Sequence, residues 1–217
     1  HLTLNFDPAA VGIRVPLAGF AYDGESHFEM GNLTLETVLG HYEALPGATA
    51  GVSYGFSLST PTGTSRADAL ALSNLLTSPL FRHAYLSVEP FFAVGMDAKY
   101  VIVQAEVGVT NMWRVRQDES PDTITYLRYG AGFSLLPFEV IALSLELAGS
   151  AGIQEARAFD LLMFIGGLRF RAAGVEPGIA IQAPIALPGR EDYGSAGGLA
   201  LGSPADINVL GSLSFGF

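Results

Sequence analysis

From residue 205 to the end of the chain the odd positions read Ala205, Ile207, Val209, Gly211, Leu213, Phe215 and Phe217, and the even positions read Asp206, Asn208, Leu210, Ser212, Ser214 and Gly216. Successive side chains of a β-strand point to opposite faces, so this period of two predicts a strand with one apolar and one polar face. Residues 99–115 repeat it: Val101, Val103, Ala105, Val107 and Val109 lie on one side, and Gln104, Glu106, Gly108, Thr110 and Arg114 on the other. Trp113 closes the apolar row, where an aromatic girdle is expected. The same alternation covers residues 11–21 with Arg14, 32–42 with Thr34 and Glu36, 51–60 with Ser53, Ser57 and Ser59, and 85–96 with Ser87 and Glu89. It continues through 123–136 with Arg128, 138–149 with Ser144 and Glu146, and 174–187 with Glu176 and Gln182. Residues 161–171 are less regular. The register that sets Leu162, Phe164, Leu168 and Phe170 on the apolar side puts Arg169 and Arg171 on the polar side, together with Met163 and Ile165.

The connections alternate in length. Short turns are expected at Asp7-Pro8-Ala9-Ala10, Leu45-Pro46-Gly47, Gly95-Met96-Asp97, Leu136-Pro137-Phe138 and Ala172-Ala173-Gly174, and long loops after Tyr22, Thr60, Arg114, Gly149 and Leu187. That rhythm is the rhythm of an up-and-down sheet. Counting from Val11 gives ten strands; residues 1–6 also alternate, so ten and twelve are both open, twelve being favoured if a further N-terminal strand is missing. The longest loop, residues 61–82, contains Ser65 and Asp68 in capping-box spacing, then Leu72, Leu75 and Leu76 on one helical face, which predicts a short helix. Pro16, Pro90, Pro177 and Pro184 fall inside predicted strands, where each removes a ladder donor and is expected at a bulge, a rim or a widened gap, or else where the sheet is locally open or meets a partner.

Composition turns this β pattern into a membrane expectation. Charged residues are 15% of the chain, against about 25% in soluble proteins. Mean hydropathy is +0.37, yet no run of apolar residues is long enough for a spanning helix. A bilayer admits only helices and closed barrels, so the chain reads as one transmembrane antiparallel β-barrel domain over residues 1–217, with the long loop at 61–82 outside. The chain opens at His1 without a leader-like basic and apolar stretch, so export is inferred from the pattern, with a signal peptide removed or the chain incomplete. Net charge is −10 with only 11 Lys and Arg, scattered, which argues against a nucleic-acid partner. The absence of Cys removes disulfides and thiolate chemistry.

Two groups of phrases carry a family resemblance. The terminal segment from Asn208 to Phe217 resembles the C-terminal signature of bacterial outer-membrane proteins, which implies that Phe217 is read by the barrel-assembly machinery. Gly31-Asn32-Leu33-Thr34-Leu35, Ser57-Leu58-Ser59-Thr60-Pro61-Thr62-Gly63 and Leu127-Arg128-Tyr129-Gly130-Ala131-Gly132 are similar to phrases of the phenol-degradation meta-pathway outer-membrane transporter family. The resemblance implies a bacterial outer-membrane location, with lipid and lipopolysaccharide around the barrel.

The candidate lumen-lining residues are Arg14, Glu36, Glu89, Gln104, Glu106, Arg114, Arg128, Glu146, Arg169, Glu176, Gln182 and Asp206, and Glu106 is the expected partner of Arg128. Charges of both signs fit a pore lining that sorts solutes, or a lumen plugged by paired Arg and Glu. His1, His27, His41 and His83 stand in no catalytic motif, so no enzyme is expected; neither is a cofactor or a metal, though an N-terminal His1 is a conceivable copper ligand. The acids Asp23, Glu25, Glu29, Asp118, Glu119, Asp122, Glu191 and Asp192 are expected on outer loops, as a solvated rim or as holders of divalent cations on lipopolysaccharide. The expected function is a channel or transporter for small solutes, hydrophobic ones included, with the C-terminus periplasmic. The rival expectation is a structural or anchoring barrel of a larger outer-membrane assembly, with envelope protein partners and a plugged lumen.

Overall fold

The computed structural model describes residues 2–22, 25–64, 80, 82–116, 122–138, 140–153, 161–170, 175–185 and 208–215. The chain is all-β. Its strands are β1 (Leu2–Phe6), β2 (Ala9–Arg14), β3 (Leu17–Tyr22), β4 (Glu25–Met30), β5 (Thr34–Leu45), β6 (Ala48–Ser59) and β7 (Tyr85–Ala98). They continue with β8 (Val101–Arg114), β9 (Thr123–Phe138), β10 (Ile141–Gly152), β11 (Leu161–Phe170), β12 (Val175–Pro184) and β13 (Asn208–Phe215). Eleven of them form one sheet in the order β1-β2-β5-β6-β7-β8-β9-β10-β11-β12-β13, and β3 pairs with β4 alone. Every pairing is antiparallel. The edge strands β1 and β13 therefore run in the same direction. Among the described residues the main sheet has eleven strands, residues 2–6 pairing with β2 as the first of them.

The long loop expected after Tyr22 is instead the returning strand β4, which pairs with β3 as a hairpin that prolongs β2 and β5. Pro16 interrupts β2 because it has no N–H, but its carbonyl accepts from Gly31 N at 2.9 Å, and Leu17 pairs with Met30 just beyond. One more residue lies between Met30 and Thr34 than between Leu17 and Arg14, so the join is a bulge. Glu25 and Glu29, expected in a loop, belong to β4.

Two expected turns are displaced. The β7–β8 turn lies at Lys99 and Tyr100, not at residues 95–97, because Gly95 stays in the ladder opposite Gln104 and Asp97 opposite Ile102. Pro137 sits within β9, where the pairing with β10 shifts register by a bulge between Ile141 and Leu143, and the turn follows Phe138. Pro90 lies in a gap of the β7–β8 ladder: Val88 pairs with Asn111 and Phe91 with Gly108, in unchanged phase on either side. Pro184 ends β12. The expected helix of the 61–82 loop, from Ser65 to Leu76, falls outside the described residues.

Exposure is inverted relative to a soluble sheet. On one face Tyr54, Phe92, Val94, Val107, Leu143, Leu145 and Phe164 are exposed, while the opposite face buries Thr34, Ser59, Ser87, Glu89, Thr110 and Ser150. Register continues both faces into β13, where Val209 and Leu213 align with Ile181 and Pro177, and Asn208 and Ser212 with Gln182 and Gly178. Burial on the polar face is concentrated at the end carrying the long connections, beyond Ser59, Arg114 and Gly152. There Ala84, Tyr85, Met112, Ile124 and Tyr126 form a packed apolar cluster. Towards the short turns Asp97, Gln104 and Glu106 are exposed. Aromatic residues mark both ends of the apolar face, Trp113 at one and Phe138 and Phe170 at the other.

Candidate functional site

The charged centre of the polar face is built across β7, β8, β9 and β10. Glu89 of β7 and Arg128 of β9 are separated by a whole strand, yet Arg128 Nη2 reaches Glu89 Oε1 at 2.7 Å. The strand between them carries glycine at the crossing point: Gly108 pairs with Phe91 on one side and Arg128 on the other. A Cβ on Gly108 would stand 3.2 Å from the Pro90 carbonyl oxygen and 3.5 Å from Glu89 Cγ. Any larger residue would stand where the ion pair now crosses. Thr110 donates its hydroxyl to Glu89 Oε2 at 2.6 Å, so both oxygens of this carboxylate, only 4% exposed as a residue, are engaged.

Arg128 also reaches Glu106 Oε1, at 3.4 Å. Glu106 is thus beside Arg128 as the pattern predicts, but its side chain is half exposed, whereas that of Glu89 is 6% exposed. The buried partner is Glu89. Glu106 and Glu146 approach over a second glycine, since a Cβ on Gly130 would lie 3.5 Å from Glu106 Cγ and 3.8 Å from Glu146 Oε1. Gly132 gives the Gln104 side chain the same freedom at 3.2 Å. Three carboxylates therefore converge on one guanidinium, leaving an excess of negative charge on the side facing the short turns.

Comparison with models of known protein families, with curated proteins and with solved structures finds no match to this chain. What the site does is argued from its geometry alone.

The other candidates fall around this centre. Arg14 and Glu36 pair at 2.8 Å on β2 and β5. Arg114 forms an ion pair with Asp122, one of the expected loop acids, at the long-connection end. Arg169 is exposed on β11, paired in register with Ala142 and Gly178, away from the Arg128 centre. Glu176 and Gln182 occupy polar-face register positions, opposite Ser214 and Ile165. Asp206 and Phe217 lie outside the described residues, as do His1, Asp23, Asp118, Glu119, Glu191 and Asp192. Glu29 is buried and accepts the Thr64 hydroxyl at 2.5 Å. His41 is exposed near the short-turn end of β5, and His83 is buried in the turn before β7. Among the described residues no group of three or more His, Asp or Glu is placed to hold a metal ion.

Sequence reasoning missed the packed end. Met112 shares its parity with Thr110 and Arg114, and Ile124 and Tyr126 share theirs with Arg128. The alternation that selected the charges also put three bulky residues beside them. Asn32 was missed too, because its partners lie in two other segments: Gly63 and Arg82.

Proposed function

We propose that the chain forms a β-barrel in a bacterial outer membrane and passes small solutes, cations before anions, through a lumen lined by the polar face. The observation that carries this reading is the inverted exposure of the two faces. Exposed apolar side chains over an entire sheet face are tolerated where lipid replaces water. Strands β5 to β10 have 12 to 16 residues, more than the about 9–11 a tilted strand needs to cross a bilayer. Short turns on one side and long connections on the other support a periplasmic and an outer rim, with β13 ending at the periplasmic one. Because β1 and β13 run in the same direction, one further strand antiparallel to both closes the ring with an even count.

The buried end of the polar face favours a second reading, a structural barrel with a blocked lumen. Tyr85, Met112 and Tyr126 pack there as in a core. Planar-bilayer conductance of the purified full-length protein separates the two. Stepwise channel openings with a cation-positive reversal potential are expected of a pore; silent insertion, verified by heat-sensitive migration of a folded barrel, would leave the structural reading.

A further inference from the structure

Three segments distant in sequence meet at one buried side chain. Asn32, fully buried between β4 and β5, donates its carboxamide N–H to the Arg82 carbonyl at 2.8 Å and accepts on Oδ1 from Gly63 N at 3.0 Å. Its own backbone N–H donates to Leu80 O at 2.6 Å. The residues it touches are the two ends of the connection between β6 and β7. Around it the exit of that connection is stitched to the same join between β4 and β5: Leu33 N donates to Thr62 Oγ1 at 2.8 Å, and Thr60 N donates to Leu33 O at 2.9 Å. The carboxamide presents a donor and an acceptor from one planar group, so Asp, Leu or Ala at this position loses at least one tie. Gly63 answers it, because a Cβ there would stand 3.0 Å from Asn32 Oδ1 and 3.2 Å from the Gly31 carbonyl carbon.

The side chains that obstruct the polar face at this end come mainly from β7, β8 and β9, with Arg82 and His83 of the return end buried beside them. Arg82 lies over the Tyr85 ring at 5.4 Å, Ala84 O accepts from Val115 N at 2.8 Å, and Ala84 and Tyr85 complete the apolar cluster with Met112, Ile124 and Tyr126. Below this cluster the polar face opens progressively to water at Glu106 and Gln104. The return end is thus attached to the sheet through β7 on one side and through Asn32 on the other.

We propose that Asn32 is a latch: its carboxamide holds Arg82 and His83 against the outer end of the polar face, and breaking it lets that end open. The consequence for permeation rests on the channel reading above, whereas the latch itself does not. Local opening of this kind has a free energy set by the few contacts it breaks, and the two carboxamide hydrogen bonds of Asn32 are among them.

The chain has no Cys, so Ser87→Cys, at a site 2% exposed beneath the obstruction, is a single-thiol reporter. In the full-length protein in micelles, a charged thiol reagent should label Ser87→Cys slowly. Adding Asn32→Ala, which removes both carboxamide hydrogen bonds, should speed labelling about tenfold or more, and Asn32→Asp, which removes only the donor and serves if the first does not fold, should speed it about tenfold. Thr62→Val, which removes a neighbouring tie at Leu33 but not the carboxamide, should leave the rate within about twofold. Rapid labelling of Ser87→Cys alone, or equal rates with and without the Asn32 change in protein of unchanged strand content, overturns the latch. Faster labelling with no conductance in any variant upholds the latch and overturns the channel reading instead.

Discussion

Glu89 and Arg128 meet at 2.7 Å across β8, a strand that contributes no side chain between them because residue 108 is glycine. The pair is lopsided: the Glu89 side chain is 6% exposed and that of Arg128 29%. Removing either partner therefore has different consequences. Arg128→Met leaves a buried carboxylate with only the Thr110 hydroxyl and should cost about 3–5 kcal/mol. Glu89→Gln keeps an acceptor for Thr110 and leaves Arg128 beside Glu106, so about 1–2 kcal/mol is expected. Urea unfolding in lipid vesicles, followed by tryptophan fluorescence of Trp113, reads the difference; the reverse order would mean that Glu89 is not the dominant partner.

Gly108 and Gly130 make a matched pair of tests. At Gly108 a Cβ meets backbone, the Pro90 carbonyl oxygen at 3.2 Å, which cannot swing away. At Gly130 the nearest atoms lie at 3.5 Å or beyond, an ordinary contact. Gly108→Ala should thus destabilise by about 1–3 kcal/mol through overpacking, and Gly130→Ala by less than about 1 kcal/mol. Equal losses in the same unfolding assay would show that space over β8 is not what admits the ion pair.

The assignment of faces is tested at mid-strand in β8. Val107 is exposed on the apolar face, and Gln104 is exposed on the polar face. Val107→Arg should cost about 2–4 kcal/mol near a bilayer midplane, while Gln104→Arg, which stays in water, should cost under about 1 kcal/mol. In a water-soluble sheet both substitutions would be tolerated alike. Unfolding from vesicles compared with micelles measures this directly.

Which residues share a face was legible in the sequence because a period of two survives any register between strands. Arg128, Glu106 and Glu146 were placed on one face by parity alone, as were Met163 and Ile165. Parity says nothing about the height of a residue along the strand, so the sequence pointed to Glu106 as the partner of Arg128 and left Glu89 unpaired with it. The difference turns on Gly108, read only as a polar-row residue. Turn positions were read from Gly, Pro and Asp, which failed at Gly95 and Pro137 because a long antiparallel ladder absorbs a glycine or a bulge without reversing. The β3–β4 hairpin was hidden for the opposite reason: acids at Glu25 and Glu29 read as loop, yet the pairing that begins in β2 and β5 carries through them. The three phrases that carry the family resemblance contain Asn32, Gly63 and Arg128, the residues of the latch and the ion pair.

Phe217 offers a test of export that is independent of the sheet's stability. Its resemblance to an assembly signal predicts that deleting it lowers the amount of barrel in outer-membrane fractions several-fold, with unchanged unfolding of the fraction that inserts. A stability change without an assembly defect would point to packing instead.

Selectivity should reside in Glu106 and Glu146. Their side chains approach over Gly130 on the part of the polar face that opens towards the short turns, and Arg128 offsets one of them. Because Glu89 is the buried partner of Arg128, Glu106→Gln strands no charge, and its half-exposed ion pair is worth less than about 1 kcal/mol. The double variant Glu106→Gln, Glu146→Gln should therefore unfold close to the parent while moving the reversal potential in a salt gradient towards zero, since carboxylates at a constriction govern cation preference. The shift should be largest at low ionic strength and fade as the screening length falls below about 10 Å near 0.1 M salt. Recording in the Asn32→Ala background keeps the outer end from limiting the current. A changed selectivity with unchanged stability places both carboxylates on the conduction path, and an unchanged reversal potential removes them from it.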